Sequence, residues 1–414
     1  MEAPSGHVPD PEWLSAPETR QVLTALAAGG TEIRFVGGCV RDALLGRKVV
    51  DIDLATPDPP EAVMRKLAAA GLRGLPTGIA HGTVTALAGA RRFEVTTLRH
   101  DVETDGRHAR VAFTGDWRAD AARRDFTMNA MSAGADGRIH DYFGGCADLA
   151  AGRVRFVGDP ATRIAEDHLR LLRFWRFHAH YGRGAPGVAE RAACRAAAAL
   201  LARLSGERIR DELVKLLAAP DPVPSASAMA EDGLFAPLLH GPVATGTLAA
   251  LIALEPADDR DPWRRLASLM PAAGGAAQAA RLADRLRLSR AQRARLLAAT
   301  TGAPFPGRAM LRAALYRDGP AAARDQVLLA AARGGADHAA TASALAEIGS
   351  WHAPAFPLAG ADILARGMAP GPALGRLLDE VETWWMARDF APDRASCLAR
   401  LDELMARSPP AAGS

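Results

Sequence analysis

Residues 37–56 constrain this chain more than any other stretch. Gly37 and Gly38 open the segment, and Asp51 and Asp53 stand two residues apart near its end. A β-strand directs alternate side chains to one face, so a strand here would present both carboxylates together and turn the intervening isoleucine into the core. Two neighbouring carboxylates repel each other unless a cation lies between them. The pattern therefore predicts a metal site on a strand.

The glycine pair and the aspartates together indicate a nucleotide site. Backbone N–H groups in a glycine-rich turn can approach a phosphate closely, and Mg²⁺ usually leaves coordination positions open for substrate phosphates. A third carboxylate is expected where two metals hold an in-line phosphoryl transfer. Glu94 is the best-placed candidate, because strand alternation directs it away from Phe93 and Val95. Solvated strand carboxylates would give the same pattern, so both interpretations stay open at this point.

Composition is that of a multidomain globular protein. The 414 residues suffice for roughly two to four domains, and 49% of them are hydrophobic. No apolar run reaches the roughly 20 residues that span a membrane, and no signal-peptide pattern opens the chain. The four cysteines lie far apart, which fits a reducing cytoplasm. Lysine occurs only at positions 48, 66 and 215, so arginine, which can bind a phosphate or a base edge bidentately, supplies most of the positive charge.

Apolar periodicity and Gly or Pro breaks divide the chain into two parts. In the first, helices are predicted at residues 13–28, 40–45, 59–70 and 118–125, and strands at 32–36, 49–54, 82–87, 92–98, 128–133 and 139–142. The polar residues 99–117 are interpreted as a mobile loop. This alternation predicts an α+β unit with one mixed β-sheet.

From residue 159 onward the pattern is helical. Strong helices are predicted at 161–181 and 207–217, a linker at 221–225, and helix breaks at 302–307, 353–357 and 370–372. Residues 408–414 are expected to be disordered. The second part is therefore predicted to be all-α.

Two further segments offer ligand-binding side chains. Arg123 and Arg124 precede Asp125 and could either brace a helix end or hold a triphosphate, with Asn129 as a hydrogen-bonding partner. The segment 281–295 carries six arginines and is either a solvated helix or a phosphate-tracking surface.

The helix predicted at 161–181 places Asp167 and Arg170 on one face, and Arg173 and Arg176 continue that row. Its apolar residues leave almost no polar face, so the arginines are expected to line a cleft. An aspartate with an arginine offers one acceptor and several donors, which suits the Watson–Crick edge of a base. The helix at 207–217, by contrast, is interpreted mainly as an ion-paired scaffold.

Three motifs in this order resemble those of the nucleotidyltransferases that build tRNA 3′ ends, in the bacterial-type branch shared with bacterial poly(A) polymerases. They are Gly-Gly-x-Val-Arg-Asp with its Asp-x-Asp pair, Arg-Arg-Asp-Phe-Thr-x-Asn-Ala, and Glu166-Asp167-x-x-Arg170, within residues 31–217. The resemblance implies an α+β nucleotidyltransferase head with a mixed β-sheet, followed by an all-α neck, body and tail. The implied boundaries are 1–30 for a lead-in and helix, 31–158 for the head, 159–220 for the neck, 221–350 for the body and 351–414 for the tail.

The resemblance also implies roles for individual residues. Asp51 and Asp53 would hold Mg²⁺, and Asp167 and Arg170 would read the base of CTP or ATP. The residues that would contact the rest of the nucleotide are Gly38, Arg41, Arg124, Arg173 and Arg176.

The implied activity is template-independent, Mg²⁺-dependent addition of CCA to tRNA from CTP and ATP, with release of pyrophosphate. The partner would be the 3′ end and acceptor arm of tRNA in the cytoplasm, without a membrane or a stable protein partner. Residues 358–375 resemble a C-terminal segment of CCA-adding enzymes and favour tRNA over poly(A) synthesis.

Several alternatives stay open. The enzyme could add only CC, add only the final A, or make poly(A). A non-catalytic RNA-binding protein is a hypothesis of another class, and the intact Asp51, Asp53 and Arg41 argue against it. A Rossmann dehydrogenase is disfavoured because the later glycine of its fingerprint does not follow Gly37-Gly38.

Overall fold

The structure is a computed structural model that describes residues 6–9, 12–104, 109–300 and 304–407. The chain divides between residues 238 and 239 into two compact units. The predicted division into head, neck, body and tail is finer than this, and its boundaries stay a prediction.

A mixed β-sheet forms the centre of the first unit. The strands of this unit are β1 (Arg34–Val36), β2 (Ile52–Thr56), β3 (Arg73–Gly78), β4 (Thr83–Ala88), β5 (Arg91–Thr97), β6 (Arg99–Thr104), β7 (Ala109–Phe113), β8 (Ser132–Gly134) and β9 (Ile139–His140). The described residues form a seven-stranded sheet in the order β3-β4-β5-β2-β1-β8-β9, and β6 pairs with β7 separately. Strands β2 and β5 run parallel and the other neighbours antiparallel. The predicted mixed sheet is confirmed.

Helices surround this sheet and continue beyond it. They are α1 (Glu12–Ser15), α2 (Pro17–Leu26), α3 (Gly38–Leu44), α4 (Pro60–Ala69), α5 (Trp117–Ala122), α6 (Gly145–Ala151), α7 (Pro160–Glu166), α8 (Leu169–Tyr181), α9 (Val188–Ala196), α10 (Gly206–Leu217), α11 (Val223–Glu231) and α12 (Ala236–Leu239). Helix α8 packs against α10 and α11, and its Phe174 and Trp175 are completely buried.

Strand alternation sets the two faces of the central strands. Ile52 and Leu54 of β2 and Phe93 of β5 are buried, whereas Asp53 is half-buried and Glu94 is exposed. Apolar side chains thus anchor each strand from one face, and the acidic side chains between them remain accessible on the other.

The prediction of a loop at residues 99–117 is wrong. Strands β6 and β7 form an antiparallel pair in which Arg99 lies opposite Phe113, with a register shift between Asp101 and Glu103. The polar sequence gave no indication of these strands, because two strands can form backbone hydrogen bonds without an alternating apolar pattern. The connecting residues 105–108 lie outside the described part of the chain.

The prediction of one continuous helix over 161–181 is also wrong. Helix α7 ends at Glu166, and Asp167 adopts extended backbone angles of φ −147° and ψ 108°. Its Oδ1 accepts the N–H of Leu169 at 3.1 Å, at the start of α8. Aspartate competes with helix formation by making such local hydrogen bonds, which explains the break.

Smaller departures concern the boundaries of elements. Helix α11 begins at Val223, within the predicted linker, and Asp221 accepts the Val223 N–H at 3.0 Å. The segment predicted as a strand from Met128 begins with a 3-10 turn at Thr127–Asn129. Strand β3 and helix α6 were not predicted. The residues 408–414 lie outside the described part of the chain.

The second unit is helical in its described residues, as predicted. Its helices are α13 (Thr245–Leu254), α14 (Pro262–Ser268), α15 (Gly275–Arg285), α16 (Arg290–Ala299), α17 (Arg308–Ala332), α18 (His338–Ser350), α19 (Gly360–Leu364), α20 (Pro372–Met386) and α21 (Arg394–Arg407). The predicted breaks at 353–357 and 370–372 fall between helices. Among the helices the structure describes, none has both the length and the apolar character needed to cross a membrane.

The arginine-rich segment 281–295 forms the end of α15 and the start of α16. Arg287, with φ 52°, lies between the two helices. Arg295 donates to Asp325 at 2.6 Å and to Asp261 at 2.8 Å. This arginine therefore serves the interior of the unit rather than a solvated face.

A buried ion-pair network extends from these contacts. Arg264, only 2% exposed, donates to Glu255 and to Asp325, each at 3.0 Å, and Arg265 donates to the other oxygen of Glu255 at 2.7 Å. Removing one partner of a buried pair leaves an uncompensated charge in a poorly solvated place.

We expect Arg264→Ala to lower the free energy of unfolding by about 3 kcal/mol, because Glu255 and Asp325 would lose the buried cation they share and keep only Arg265 and Arg295 as partners. Urea denaturation followed by tryptophan fluorescence measures the change. Arg293→Ala is the matched control: Arg293 pairs with Asp284 at the surface, and its loss should change the free energy by less than about 1 kcal/mol. Equal midpoints for the two variants would contradict the expectation.

Candidate active site

The acidic side chains of β2 and β5 lie side by side. In the parallel pairing of the two strands, Asp53 is in register with Glu94. Burial raises the pKa of Asp53 to about 6, the charge of Glu94 adds to this, Arg124 opposes it, and Asp51 adds a smaller increase. Asp51 immediately precedes β2 and is exposed. Glu94 and Asp51 are therefore each close enough to influence Asp53.

The three carboxylates form a possible site for a divalent cation. Within the described part of the chain, no three His, Cys, Asp or Glu side chains form a ready metal-binding cluster. The donor chemistry nevertheless fits, because Mg²⁺ commonly binds through one or two carboxylates and completes its shell with waters and substrate phosphates. In-register pairing places Asp53 beside Glu94, and Asp51 and Asp53 are the residues suited to hold a divalent cation.

The glycine turn brings backbone and guanidinium together beside the carboxylates. Gly37 has φ 72° and ψ −123°, and a Cβ atom there would lie 3.1 Å from Nη1 of Arg124. Glycine is therefore required both by the positive φ and by the close approach. Arg124 is held from the other side by Asp120, whose Oδ2 lies 3.2 Å from Nη2.

Asp120 braces both arginines of the Arg-Arg-Asp run. Its Oδ1 accepts from Nε of Arg123 at 2.9 Å. Burial opposes ionisation of Asp120, but Arg124 and Arg123 hold its pKa below the usual range. Arg124 can therefore both brace the end of α5 through Asp120 and bind a ligand, because it also lines the cleft.

Arg41 is fixed by three groups. Its Nη1 donates to Oδ1 of Asn129 at 2.7 Å, and its Nε and Nη2 donate to the two oxygens of Asp42 at 2.9 and 2.8 Å. Its guanidinium also lies 4.4 Å from the ring centre of Tyr181. These contacts hold the charge in one orientation, which lowers the entropic cost of binding an anion.

Asn129 connects Arg41 to the arginine row of α8. Its Nδ2 donates to Oδ1 of Asp125 at 3.1 Å, and Oδ2 of Asp125 accepts from Nε of Arg173 at 2.7 Å. Burial opposes ionisation of Asp125, but Arg173 and the Asn129 hydrogen bond hold its pKa below the usual range. The second motif is therefore joined to the arginine row of α8 by direct contacts.

The predicted base-reading pair lies at the junction of α7 and α8. Asp167 accepts from Nη2 of Arg208 at 2.8 and 3.1 Å. Arg170 pairs with Glu166 and donates to the backbone oxygen of Arg123 at 3.2 Å. Asp167 and Arg170 do not share a helix face, because Asp167 precedes α8, but both side chains line the same cleft.

Sequence reasoning missed the contribution of α10. Arg208 holds Asp167, and the carboxylate of Glu212, 5% exposed, lies 2.9 Å from Nε of Arg176 and 3.9 Å from Nη1 of Arg173. Their spacing of four residues places them on one side of a helix. That spacing was the available signal, but only the packing of α10 against α8 shows what this side contacts.

One cleft of about 540 Å³ collects most of the predicted residues. Asp51 and Glu94 are outside its lining, next to Asp53. The predicted site residues that line the cleft are Gly38, Arg41, Asp53, Arg124, Asp167, Arg170, Arg173 and Arg176.

Comparison with known families defines the class of protein. A family model described as the Poly A polymerase head domain matches residues 33–155, and one described as a probable RNA and SrmB-binding site of polymerase A matches residues 190–245. With the mixed sheet and its cleft, this defines a polymerase-type nucleotidyltransferase. The CCA-adding enzyme of Limosilactobacillus fermentum is 31% identical over 396 residues, which cover 93% of this chain and 96% of the relative. The chain belongs to the family of CCA-adding enzymes.

Other relatives agree with this assignment. The crystal structure of the Bacillus stearothermophilus CCA-adding enzyme in complex with CTP is 28% identical, covers 96% of this chain and 99% of that chain, and superimposes with a TM-score of 0.74. The mitochondrial CCA tRNA nucleotidyltransferase 1 of Danio rerio is 49% identical over 191 residues. The match covers 44% of that relative and 50% of its Mus musculus counterpart, so this chain spans about half the length of the vertebrate enzymes. Members of the family use a divalent metal.

Proposed function

We propose that this protein adds CCA to the 3′ end of tRNA from CTP and ATP and releases pyrophosphate. The observation that carries the proposal is the single cleft that joins Gly38, Arg41 and Arg124 on one side to Asp167 and Arg170 on the other. The first group suits a triphosphate and the second suits a base, so one nucleotide would span them. The names and lengths of the bacterial relatives support the same activity.

The metal would be Mg²⁺, held by Asp51 and Asp53, with Glu94 as the candidate third carboxylate. When bound, it would lower the pKa of the attacking hydroxyl and stabilise the departing pyrophosphate. This assignment rests on the hard oxygen donors and on the strand register that places Asp53 beside Glu94.

The protein's own residues would position the reaction. The 3′-hydroxyl of the RNA attacks the α-phosphate in line, and the bond to pyrophosphate breaks. Arg41 and Arg124 hold the phosphates, because Asn129 and Asp120 fix their guanidinium groups beforehand. Arg173 adds a further cation next to them, fixed by Asp125.

Base selection follows from the chemistry of Asp167 and Arg170. Cytosine and adenine both carry an exocyclic amine, which a carboxylate accepts, whereas uracil and guanine carry a carbonyl oxygen at the equivalent place. Arg170 supplies donors for the adjacent ring nitrogen. A wrong base leaves buried polar groups unpaired, at a cost of about 1–3 kcal/mol each.

A primer assay tests the proposal. The purified protein receives Mg²⁺, each nucleoside triphosphate singly, and tRNA transcripts that end before CCA, after C and after CC. Addition of two C and then one A, followed by a stop, supports CCA synthesis. Addition of only CC or only A identifies half of a split activity, unlimited A identifies a poly(A) polymerase, and no incorporation favours the RNA-binding alternative.

We propose that the protein is located in the cytoplasm, because all four of its cysteines are free thiols. The proposed partner is the acceptor arm and 3′ end of tRNA. We propose neither membrane association nor a stable protein partner.

Arg208→Leu should raise the KM for CTP and for ATP about tenfold while kcat changes less, because Asp167 would lose the cation that orients it before the base arrives. Steady-state kinetics with each nucleotide measures both constants. Arg210→Leu is the matched control, since within the described part of the chain Arg210 forms its ion pair with the adjacent Asp211. Similar KM values for the two variants would remove Arg208 from nucleotide recognition.

A further inference from the structure

A second, smaller cavity adjoins the nucleotide cleft. This side pocket has a volume of about 240 Å³, and Arg41, Arg176 and Phe177 line both it and the cleft. The other residues that line the side pocket include Lys215, Tyr181 and His180. Because they share these residues, the two cavities are neighbours. One of the shared residues, Arg41, is also proposed to hold the triphosphate.

The side pocket carries an excess of positive charge. Arg41 is paired with Asp42, and Arg176 lies 2.9 Å from the buried carboxylate of Glu212. Lys215 adds a further cation, exposed on α10. Among the described residues, no carboxylate forms an ion pair with Lys215.

Arg47 contributes another unneutralised cation at the edge of the pocket. Its Nη2 donates to the backbone oxygen of His180 at 3.0 Å, and it has no carboxylate partner among the described residues. Nε2 of His180 lies 2.7 Å from the backbone oxygen of Lys215 and donates to it. Burial and the nearby arginines lower the pKa of His180, and this hydrogen bond opposes them. The pocket thus offers donors and positive charge to an anion.

The aromatic lining of the side pocket already has stacking partners. The guanidinium groups of Arg41 and Arg47 lie 4.4 and 4.5 Å from the ring centre of Tyr181, and Phe177 stacks near the same ring. The aromatic surface is therefore already covered by cations and by another ring. The cations at its wall and edge suit a small, multiply charged anion.

We propose that the side pocket binds a phosphate oxyanion and receives the pyrophosphate that leaves the nucleotide cleft. The inference rests on the proposed function, because the transfer reaction supplies this pyrophosphate. In-line displacement puts the leaving group opposite the incoming RNA 3′ end, so the product departs away from the bound RNA. Arg41 lines both cavities. Its guanidinium can therefore donate hydrogen bonds to the pyrophosphate throughout the movement of this anion from the cleft to the side pocket.

The test separates this pocket from the main site. The cleft is first saturated with a non-reactive CTP analogue that carries a methylene group between the α- and β-phosphorus atoms, and pyrophosphate binding is then measured by isothermal titration calorimetry. We expect the wild-type protein still to bind pyrophosphate. Lys215→Met should raise its dissociation constant about three- to fivefold at low salt, and less at high salt.

Lys48→Met is the matched control, because Lys48 is exposed and lines neither the cleft nor the side pocket. This variant should bind pyrophosphate with the affinity of the wild-type protein. Pyrophosphate that binds only by displacing the analogue would overturn the proposal. So would a Lys215→Met protein that binds pyrophosphate normally but binds a tRNA transcript more weakly, since the pocket would then hold an RNA phosphate. Calorimetry requires no turnover, so a protein that fails the primer assay can still pass or fail this test.

Discussion

Asp53→Asn is expected to reduce nucleotide addition about a thousandfold or more. The substitution keeps the size of the side chain but removes one of the anionic oxygens proposed to hold the metal. The burial that raises the pKa of Asp53 to about 6 also means that its ionised form is disfavoured in the folded protein. At neutral pH the variant should therefore lose activity while its unfolding midpoint stays the same or rises. The initial rate of CMP incorporation and a thermal melt measure the two effects.

Glu61→Gln provides the control for this experiment, because Glu61 is an exposed carboxylate at the start of α4. It should alter neither the rate nor the melting temperature. Glu94→Gln then tests the third carboxylate: a loss comparable to that of Asp53→Asn would place it in the metal site, and a normal rate would leave it as a solvated strand residue. Full activity of the Asp53→Asn protein would overturn the metal assignment.

The head was predictable where alternating burial follows from alternating sequence. Ile52, Leu54 and Phe93 define the buried face of β2 and β5, so the position of Asp53 and Glu94 on the opposite face could be read from the chain. The register that places these two carboxylates next to each other could not, because it depends on a parallel pairing between strands about 40 residues apart. The hairpin of β6 and β7 was missed because its residues lack an apolar pattern.

The candidate site was predictable in its motifs but not in its supports. Arg41, Arg124 and Arg170 stand in recognisable runs, and Asn129 was already a suspected partner. Arg208 and Glu212 were interpreted as a scaffold because their spacing shows only that they share a helix side. What that side faces is decided by the packing of α10 on α8, a tertiary contact that no local pattern encodes.

The residues alone indicated a metal-dependent nucleotide site and a base-reading pair, but not which polymer is extended. That step came from the resemblance, and the match to a relative over almost its whole length supports it. Chemistry narrows the choice of nucleotide further: a carboxylate that Arg208 holds in place can accept a hydrogen bond from an amine but repels a carbonyl oxygen. The selectivity of the cleft should therefore depend on Asp167 more than on any other single side chain.

Asp167→Ala is expected to lower kcat/KM for both CTP and ATP by about 10- to 100-fold, which corresponds to the roughly 1–3 kcal/mol of one lost buried hydrogen bond to a charged group. Incorporation of UTP and GTP should fall much less, because neither base offers an amine to the carboxylate at that place. The preference for C and A over U and G should then shrink by a similar factor. Competition assays with paired triphosphates on a transcript that lacks CCA measure this ratio directly.

Asp211→Ala is the control for this change, since Asp211 is an exposed aspartate of α10 that pairs with Arg210; both selectivity and rate should match the wild type. An Asp167→Ala protein that loses activity equally with all four triphosphates would show that Asp167 supports the fold of the α7–α8 junction, where its Oδ1 holds the Leu169 N–H, rather than reading the base. Asp167→Asn separates these roles. Its amide oxygen can still accept the backbone N–H, but the side chain no longer carries the charge that pairs with Arg208. If the Asp167→Asn protein folds normally but has a weaker preference for C and A over U and G, the carboxylate itself discriminates between the bases.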